Sequence, residues 1–289
     1  MLVKTRAIVL HRFPYSDSSL IVKALTEESG IVSFILKGAK RKDSPFKGAL
    51  DPLALSEVVY RESPQKSASA DGGLLFVKEA SLIHWRENLR NDLMSQAIAQ
   101  VMAEIVLKYA PQGVPLQEEF ALLNASLDEL NQPSPRPDIF ARWLLNTSDL
   151  WGYHLDLTSC SRCERPLSES AADFHPETGG LICKACLGVE TPRARPETLR
   201  GLWMLRHAHG AGDFPSCESL SGDFPSCELP SGDFPSRESP SGEPQPDFAN
   251  SHTFVENALL AYLRNHIGFL RELKSLQFLT DTRKLFSGN

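Results

Sequence analysis

The chain has 289 residues and a net charge of −6, with 42% hydrophobic residues to build a core. That length exceeds the roughly 100–200 residues of one compact domain, and the acidic total excludes a uniformly basic nucleic-acid binder. No apolar run approaches the ~20 residues that a spanning helix needs, so the sequence predicts a soluble, unprocessed, cytoplasmic protein of two or more folded units with no membrane partner. Charge is unevenly placed: residues 1–50 hold nine Lys/Arg and four Asp/Glu, a balance of +5 against −11 for the remainder. A basic front end on an acidic body can face a phosphate backbone and repel it elsewhere.

In chain order, Val3 to Leu10, Leu20 to Leu25, Ile31 to Lys37, Leu53 to Tyr60 and Leu74 to Ser81 are β-branched or apolar runs separated by turn residues. Turns at Pro14-Tyr15-Ser16-Asp17 and Glu28-Ser29-Gly30 join the first three. Five short strands suit a small closed barrel such as the OB-fold, in which closure removes exposed edges; other five-stranded barrels fit the pattern equally.

From Asn91 the period changes. Leu93, Ala97, Val101 and Ile105 recur every four residues, with Met94, Ile98, Met102 and Val106 beside them, which predicts a helix capped by Asn91 or Asp92. A second helix carries Phe120, Leu123, Leu127 and Leu130 and stops before Pro133-Ser134-Pro135; a third runs from about Asp138 through Trp143, Leu144 and Trp151, with Gly152 after its end. Further on, Pro196 to Arg206 and Thr253 to Ile267 read as helices, the latter with Val255, Leu259, Tyr262 and Leu263 on one side. These are packing stripes without chemistry.

Between those last two helices GDFPSCESLS (212–221), GDFPSCELPS (222–231) and GDFPSRESPS (232–241) repeat every ten residues. Ten residues are too few to bury a core, and the Pro/Ser/Gly/Asp composition predicts an inert, disordered insertion over 207–249 rather than a binding array of Phe214, Phe224 and Phe234. Cys217 and Cys227 recur only because the unit does.

The other four cysteines form two pairs, Cys160-Ser161-Arg162-Cys163 and Cys183-Lys184-Ala185-Cys186, separated by 19 residues. This is zinc-ribbon spacing: each C-x-x-C turn brings two thiolates to one ion, and two turns complete a tetrahedron of sulfurs. Gly179-Gly180 and Pro166 supply the turns. Four thiolates close the coordination shell, so the Zn2+ would be structural and would supply folding free energy to a segment with little core of its own. His154 and His175 lie outside the pattern and read as ordinary polar residues. A redox dithiol is the competing reading of the pairs.

The basic segment Leu36-Lys37-Gly38-Ala39-Lys40-Arg41-Lys42-Asp43-Ser44-Pro45-Phe46-Lys47 follows a predicted strand and therefore falls on a loop at one rim of the barrel. Lys37, Lys40, Arg41, Lys42 and Lys47 are the candidate phosphate contacts, with Arg6 and Arg12 in support, and Phe13, Tyr15, Phe34 and Phe46 are candidates for stacking on bases.

Thr5 to Leu10, the Tyr15 to Ser18 turn, the Thr26 to Gly30 hairpin and the Lys37 to Arg41 loop occur in the order found in the RecO family of bacterial recombination mediators, which the opening TRAIVLHRFPYSDSSLIVKALTEESGIVSFILKGAKRKDSPFKGALDPL resembles throughout. The cysteine pairs and a closing helix from Tyr262 to Leu279, with His266-Ile267-Gly268 and Leu273-Lys274-Ser275-Leu276-Gln277-Phe278-Leu279, extend the likeness to most of the chain except 207–250. Leu276 departs from it, standing where family members often carry a basic residue.

The resemblance implies an α+β multidomain protein with this division: an N-terminal five-stranded OB-fold β-barrel over 1–82 and a helical domain in two parts, 88–154 and then 193–206 with 250–281. A four-cysteine zinc ribbon over 155–192 is inserted between those parts. It further implies binding of single- and double-stranded DNA, partnership with RecR, contact with the tail of single-stranded-DNA-binding protein, and indirect action on RecA at the nucleoid. Annealing of complementary strands is the implied activity, without catalysis. No G-x-x-x-x-G-K-[ST], H-E-x-x-H or G-x-S-x-G motif supports an enzyme. The alternative class is a zinc-ribbon adaptor that binds only proteins.

Overall fold

Alternation of apolar residues along the first 84 positions builds a closed sheet in the computed structural model of the chain, which describes residues 1–61, 73–167, 171–189, 191–209, 248–267 and 273–287. Strands β1 (Leu2–Pro14), β2 (Leu20–Thr26), β3 (Gly30–Leu36), β4 (Leu55–Arg61) and β5 (Leu75–His84) form a barrel in the order β1-β2-β3-β5-β4, with β4 returning to β1. All neighbours are antiparallel except β3 and β5, which meet in parallel at Phe34–Leu75 and Ile35–Phe76. Of the five-stranded barrels that the strand count allowed, this is the OB-fold that the resemblance implied. The decapeptide repeats, with their phenylalanines and cysteines, lie outside the described residues.

The run Ala7-Ile8-Val9-Leu10 is apolar without alternation because both faces of β1 are covered. Ala7 and Val9 join Val22, Ala24, Val32, Phe34, Leu36, Val58, Tyr60, Leu75 and Val77 inside the barrel. Ile8 and Leu10 face outward and pack, with Leu25, Leu53 and Leu55, into a second core shared with the helices. β1 outruns its predicted end at Leu10 because a register shift between Val9 and His11 lets one 13-residue strand pair with β4 through its first half and β2 through its second.

Helices α1 (Glu87–Asn91), α2 (Leu93–Tyr109), α3 (Gln117–Leu130) and α4 (Ile139–Leu150) follow. Asp92 caps α2 by accepting from the Ser95 N–H at 2.7 Å, and Gly152, at φ 80, ends α4. The chain then forms a small ribbon of β6 (Asp173–His175), β7 (Gly180–Ile182) and α5 (Lys184–Leu187), and returns as α6 (Pro196–His209), α7 (Phe248–Ile267) and α8 (Lys274–Ser287). α2 packs on α8, α6 on α7, and α4 on both α3 and α7. Among the described residues no helix is long and apolar enough to cross a membrane.

The barrel meets the helices through β1 against α2 and β2 against α3. Gly30 sits at this junction: its φ of 65 favours glycine, and a Cβ there would lie 2.1 Å from the carbonyl oxygen of Val114 in the α2–α3 loop. The closing helix expected from Tyr262 to Leu279 is instead two helices, α7 ending at Ile267 and α8 starting at Lys274. α8 has its own N-terminal anchor, because Glu104 of α2 accepts from the Lys274 and Ser275 N–H groups at 3.2 and 2.8 Å. Leu276, the departure from the family pattern, is partly buried and packs against the helical core.

Candidate metal centre and nucleic-acid interface

The two C-x-x-C turns are brought together by backbone pairing. Cys160 bridges Leu181 in parallel, the Ser161 N–H donates to the Leu181 carbonyl at 2.8 Å, and the Glu164 N–H donates to the Cys160 carbonyl at 2.8 Å, closing the first turn with Glu164 at φ 59. Gly180 permits the approach, since a Cβ there would lie 2.1 Å from Cβ of Ser161. Gly179, at φ 66, lies against Tyr262 of α7, whose hydroxyl donates to the carbonyls of Tyr153 and His154, both at 3.2 Å, so the ribbon is seated on the helices.

The Sγ atoms of Cys160, Cys163, Cys183 and Cys186 all lie within 4.8 Å of one another, and no other group of three or more such ligands occurs among the described residues. All four are free thiols, and Cys163 Sγ and Cys183 Sγ are 3.9 Å apart. That is far longer than a disulfide but close to the ~3.8 Å edge of a tetrahedron whose sulfurs stand ~2.3 Å from a central ion. Four thiols this close cannot all ionise unaided. Cys160 resists burial and is pulled below the usual thiol range by the N–H groups of Cys183, Arg162 and Cys163, whereas hydrogen bonding with Cys163 and Cys183 pushes Cys186 up. A bound cation relieves this conflict, so the residues fit a metal ion. The geometry brings all four predicted ligands together and leaves both predicted bystanders out: His175 pairs with Asp173 at 2.9 Å, and His154 with Asp149 at 2.9 Å.

The basic loop leaves the barrel after Leu36 and returns at Leu55. Successive turns, with N–H to carbonyl bonds from Arg41 to Gly38, Ser44 to Arg41, Lys47 to Ser44 and Ala49 to Phe46, keep it compact. It is tied to the β1–β2 turn by the Lys40 N–H to Ser18 carbonyl at 3.1 Å and Lys40 Nζ to Ser16 carbonyl at 2.6 Å. Lys37, Lys40, Arg41, Lys42 and Lys47 are all exposed.

The two supporting arginines are differently placed. Arg12 is ion-paired with Asp51 at the loop's returning end. Arg6 is half-buried, held by both oxygens of Glu27, with its guanidinium 5.9 Å from the ring centre of Phe120, so its charge is engaged at the barrel–helix junction and the structure does not bring it to the loop.

Of the four aromatic candidates, only Tyr15 is well exposed, at 58%. Phe34 is fully buried in the barrel, 5.3 Å from the Tyr60 ring, and Phe46 packs against that same core, because alternation places Phe34 on the inner face of β3. Sequence reasoning missed Phe76, which is 45% exposed on β5 with Lys37 Nζ 4.9 Å from its ring centre. The signal was present: Leu75 and Val77 point inward, which turns Phe76 out.

Two family models match the chain. "Recombination protein O N terminal" covers residues 1–84, and "Recombination protein O C terminal" covers residues 90–219. The DNA repair protein RecO of Anaeromyxobacter sp. (strain K) is 34% identical over 195 residues, 67% of this chain and 74% of its own. The DNA repair protein RecO of Anaeromyxobacter dehalogenans (strain 2CP-C) is 31% identical over 290 residues, 99% of each chain. That of Geobacter metallireducens is 31% identical over 185 residues, 63% of this chain and 72% of its own. With an OB-fold barrel, a four-cysteine ribbon, two family models and a relative matched over 99% of each chain, the chain belongs to the RecO family of DNA repair proteins.

Proposed function

We propose that this protein binds single- and double-stranded DNA through the basic loop of its barrel, anneals complementary single strands, and assists loading of RecA onto strands coated by single-stranded-DNA-binding protein. The observation that carries the reading is the loop itself: five exposed cations at Lys37, Lys40, Arg41, Lys42 and Lys47 on a compact segment fastened to the barrel. Such a surface holds sugar-phosphate by counterion release and leaves base edges free to pair. Two strands held this way lose mutual repulsion, and no bond need be made or broken. Arg12 contributes if Asp51 exchanges it for a phosphate, whereas Arg6 acts through the junction.

In this reading the barrel (1–82) carries DNA, and the two-part helical domain (88–154, then 193–206 and 250–281) receives RecR and the tail of single-stranded-DNA-binding protein. The ribbon (155–192) is held by a structural Zn2+ on Cys160, Cys163, Cys183 and Cys186. Bound zinc would cross-link four positions and complete the fold of a segment whose own core is small. The work takes place in the cytoplasm, at the nucleoid.

The test is annealing of complementary oligonucleotides, each coated by single-stranded-DNA-binding protein, with and without RecR. Annealing that scales with the amount of protein, with no nucleotide consumed, is expected. Absence of annealing together with no gel shift on a bare oligonucleotide would overturn the reading and favour a protein-only adaptor.

A further inference from the structure

Phe76 is 45% exposed on the barrel surface, beside the root of the basic loop. Phe76 lies on the outer face of β5, and its cross-strand partner on β4 is Arg61, which in turn pairs with Leu2 on β1. On the other side Lys37, one residue beyond β3, holds Nζ 4.9 Å from the ring centre. Exposed Lys78 follows two residues along β5, where a register shift between Val59 and Tyr60 on the facing strand bulges the chain. An exposed aromatic ring therefore stands among three cations, Lys37, Arg61 and Lys78, adjoining the basic loop through Lys37.

We propose that Phe76 is a base-stacking platform for single-stranded DNA, uncovered when Lys37 moves from the ring to a phosphate. This rests on the loop being the DNA site and adds what the loop alone cannot do. A cation over a solvent-exposed ring is weakly held. A phosphate offers Lys37 a full opposite charge, and a base stacked on the vacated ring adds a favourable contact that the cation did not make. The exchange is favourable with a strand whose bases are free. A duplex presents phosphates but keeps its bases stacked inside, so it engages the cations and leaves the ring out. Phe76 thereby favours the single strand, and a base stacked singly on a protein ring keeps its pairing edge open to a complement.

The experiment compares three probes of equal length: a deoxythymidine oligonucleotide, the same backbone without bases, and a duplex. For the wild type, the thymidine strand should bind roughly tenfold more tightly than the abasic strand. Phe76→Leu, which keeps an apolar side chain on β5, should bring the thymidine strand down to the abasic level while abasic and duplex affinities stay within about twofold of wild type. Phe76→Tyr should restore the difference. Lys40→Glu with Arg41→Glu should weaken all three probes, which reports on the loop and not on the ring.

Wild-type affinity for the thymidine strand in Phe76→Leu overturns the stacking proposal and leaves the loop reading intact. Equal losses on all three probes assign the ring a role in shaping the barrel and also overturn it. A wild-type protein that binds none of the probes removes the DNA site on which both rest.

Discussion

The guanidinium of Arg86 donates to the carbonyl oxygen of Leu53 at 2.8 Å, and both residues hold positive φ, 61 for Arg86 and 66 for Leu53. This bond joins the end of the basic loop to the start of the helices. Arg86 is 1% exposed and also donates to Asp128 at 2.8 Å and Asn124 at 2.7 Å, both on α3. Arg90 adds a bond to the neighbouring Pro52 carbonyl at 2.6 Å while lying over the Trp85 ring at 3.7 Å. Two arginines thus fix consecutive carbonyls just after Asp51, the partner of Arg12. The left-handed conformations are maintained because these bonds over-determine them.

Removing that fork should be costly. Arg86→Ala leaves the Asp128 carboxylate, the Asn124 amide and the Leu53 carbonyl without it, and unfolding in urea should show a loss of about 3–5 kcal/mol. Arg86→Lys should recover only part, since an ammonium cannot span three acceptors in a plane. Full stability in the lysine variant would contradict the account.

At Gly30 the conflict is steric. Gly30→Ala places a methyl group 2.1 Å from the Val114 carbonyl oxygen and keeps an unfavourable positive φ. A loss of at least ~2 kcal/mol in stability is expected. Gly48, also at positive φ with nothing within 4 Å of an added Cβ, should lose only ~1 kcal/mol on the same change. Equal effects at the two positions would show that the close approach to Val114 does not matter.

Glu256 on α7 gives stability a dependence on pH. It is fully buried with Arg283 of α8 as its partner, and burial pushes it up to about 7 because the arginine offsets only part of the desolvation. The native chain then binds more protons than the unfolded chain between about pH 4.5 and 7. The stability linked to Glu256 is full below the ordinary carboxylate range and is lost as pH rises through 7, on the order of 3 kcal/mol. His252, lowered by burial in the same cluster and facing Asp138, Arg136 and Arg283, has the opposite trend, so the comparison must be with Glu256→Gln. The variant should gain on the wild type from pH 5 to pH 8 in thermal unfolding; a variant that falls further behind at pH 8 would refute the assignment.

Metal analysis should find one ion per chain, and Cys160→Ser should lose it. Hydrogen exchange should then quicken across the ribbon from Ser159 to Leu187 while the barrel stays protected, because its core of Ala7, Val9, Phe34 and Tyr60 is separate. Exchange unchanged in the ribbon would mean that backbone pairing alone holds it.

How much of this was legible in the sequence depended on whether one period or two operated at each position. The strands and the α2 stripe were legible because a single burial rule governs each, and the four-cysteine set because ligand spacing is local. Phe34 and Phe46 were stacking candidates only for lying near a basic run, and core packing claims both: alternation turns Phe34 inward and Phe46 packs against the barrel core. The break between α7 and α8 escaped because its cause is distant: Glu104, some 170 positions earlier, holds the new helix start. Arg86 gave no sign at all, since its partners on α3 and in the loop become neighbours only in the folded chain.

The central claim is that the basic loop grips the backbone of single-stranded DNA. Fluorescence anisotropy of a labelled single strand over a salt series tests it most directly, comparing the wild type with Lys40→Glu combined with Arg41→Glu. The account predicts weaker binding for the variant and a log–log salt slope shallower by roughly 1.4, the loss of two phosphate contacts at about 0.7 each. Identical affinity and slope for the two proteins at every salt concentration would contradict it.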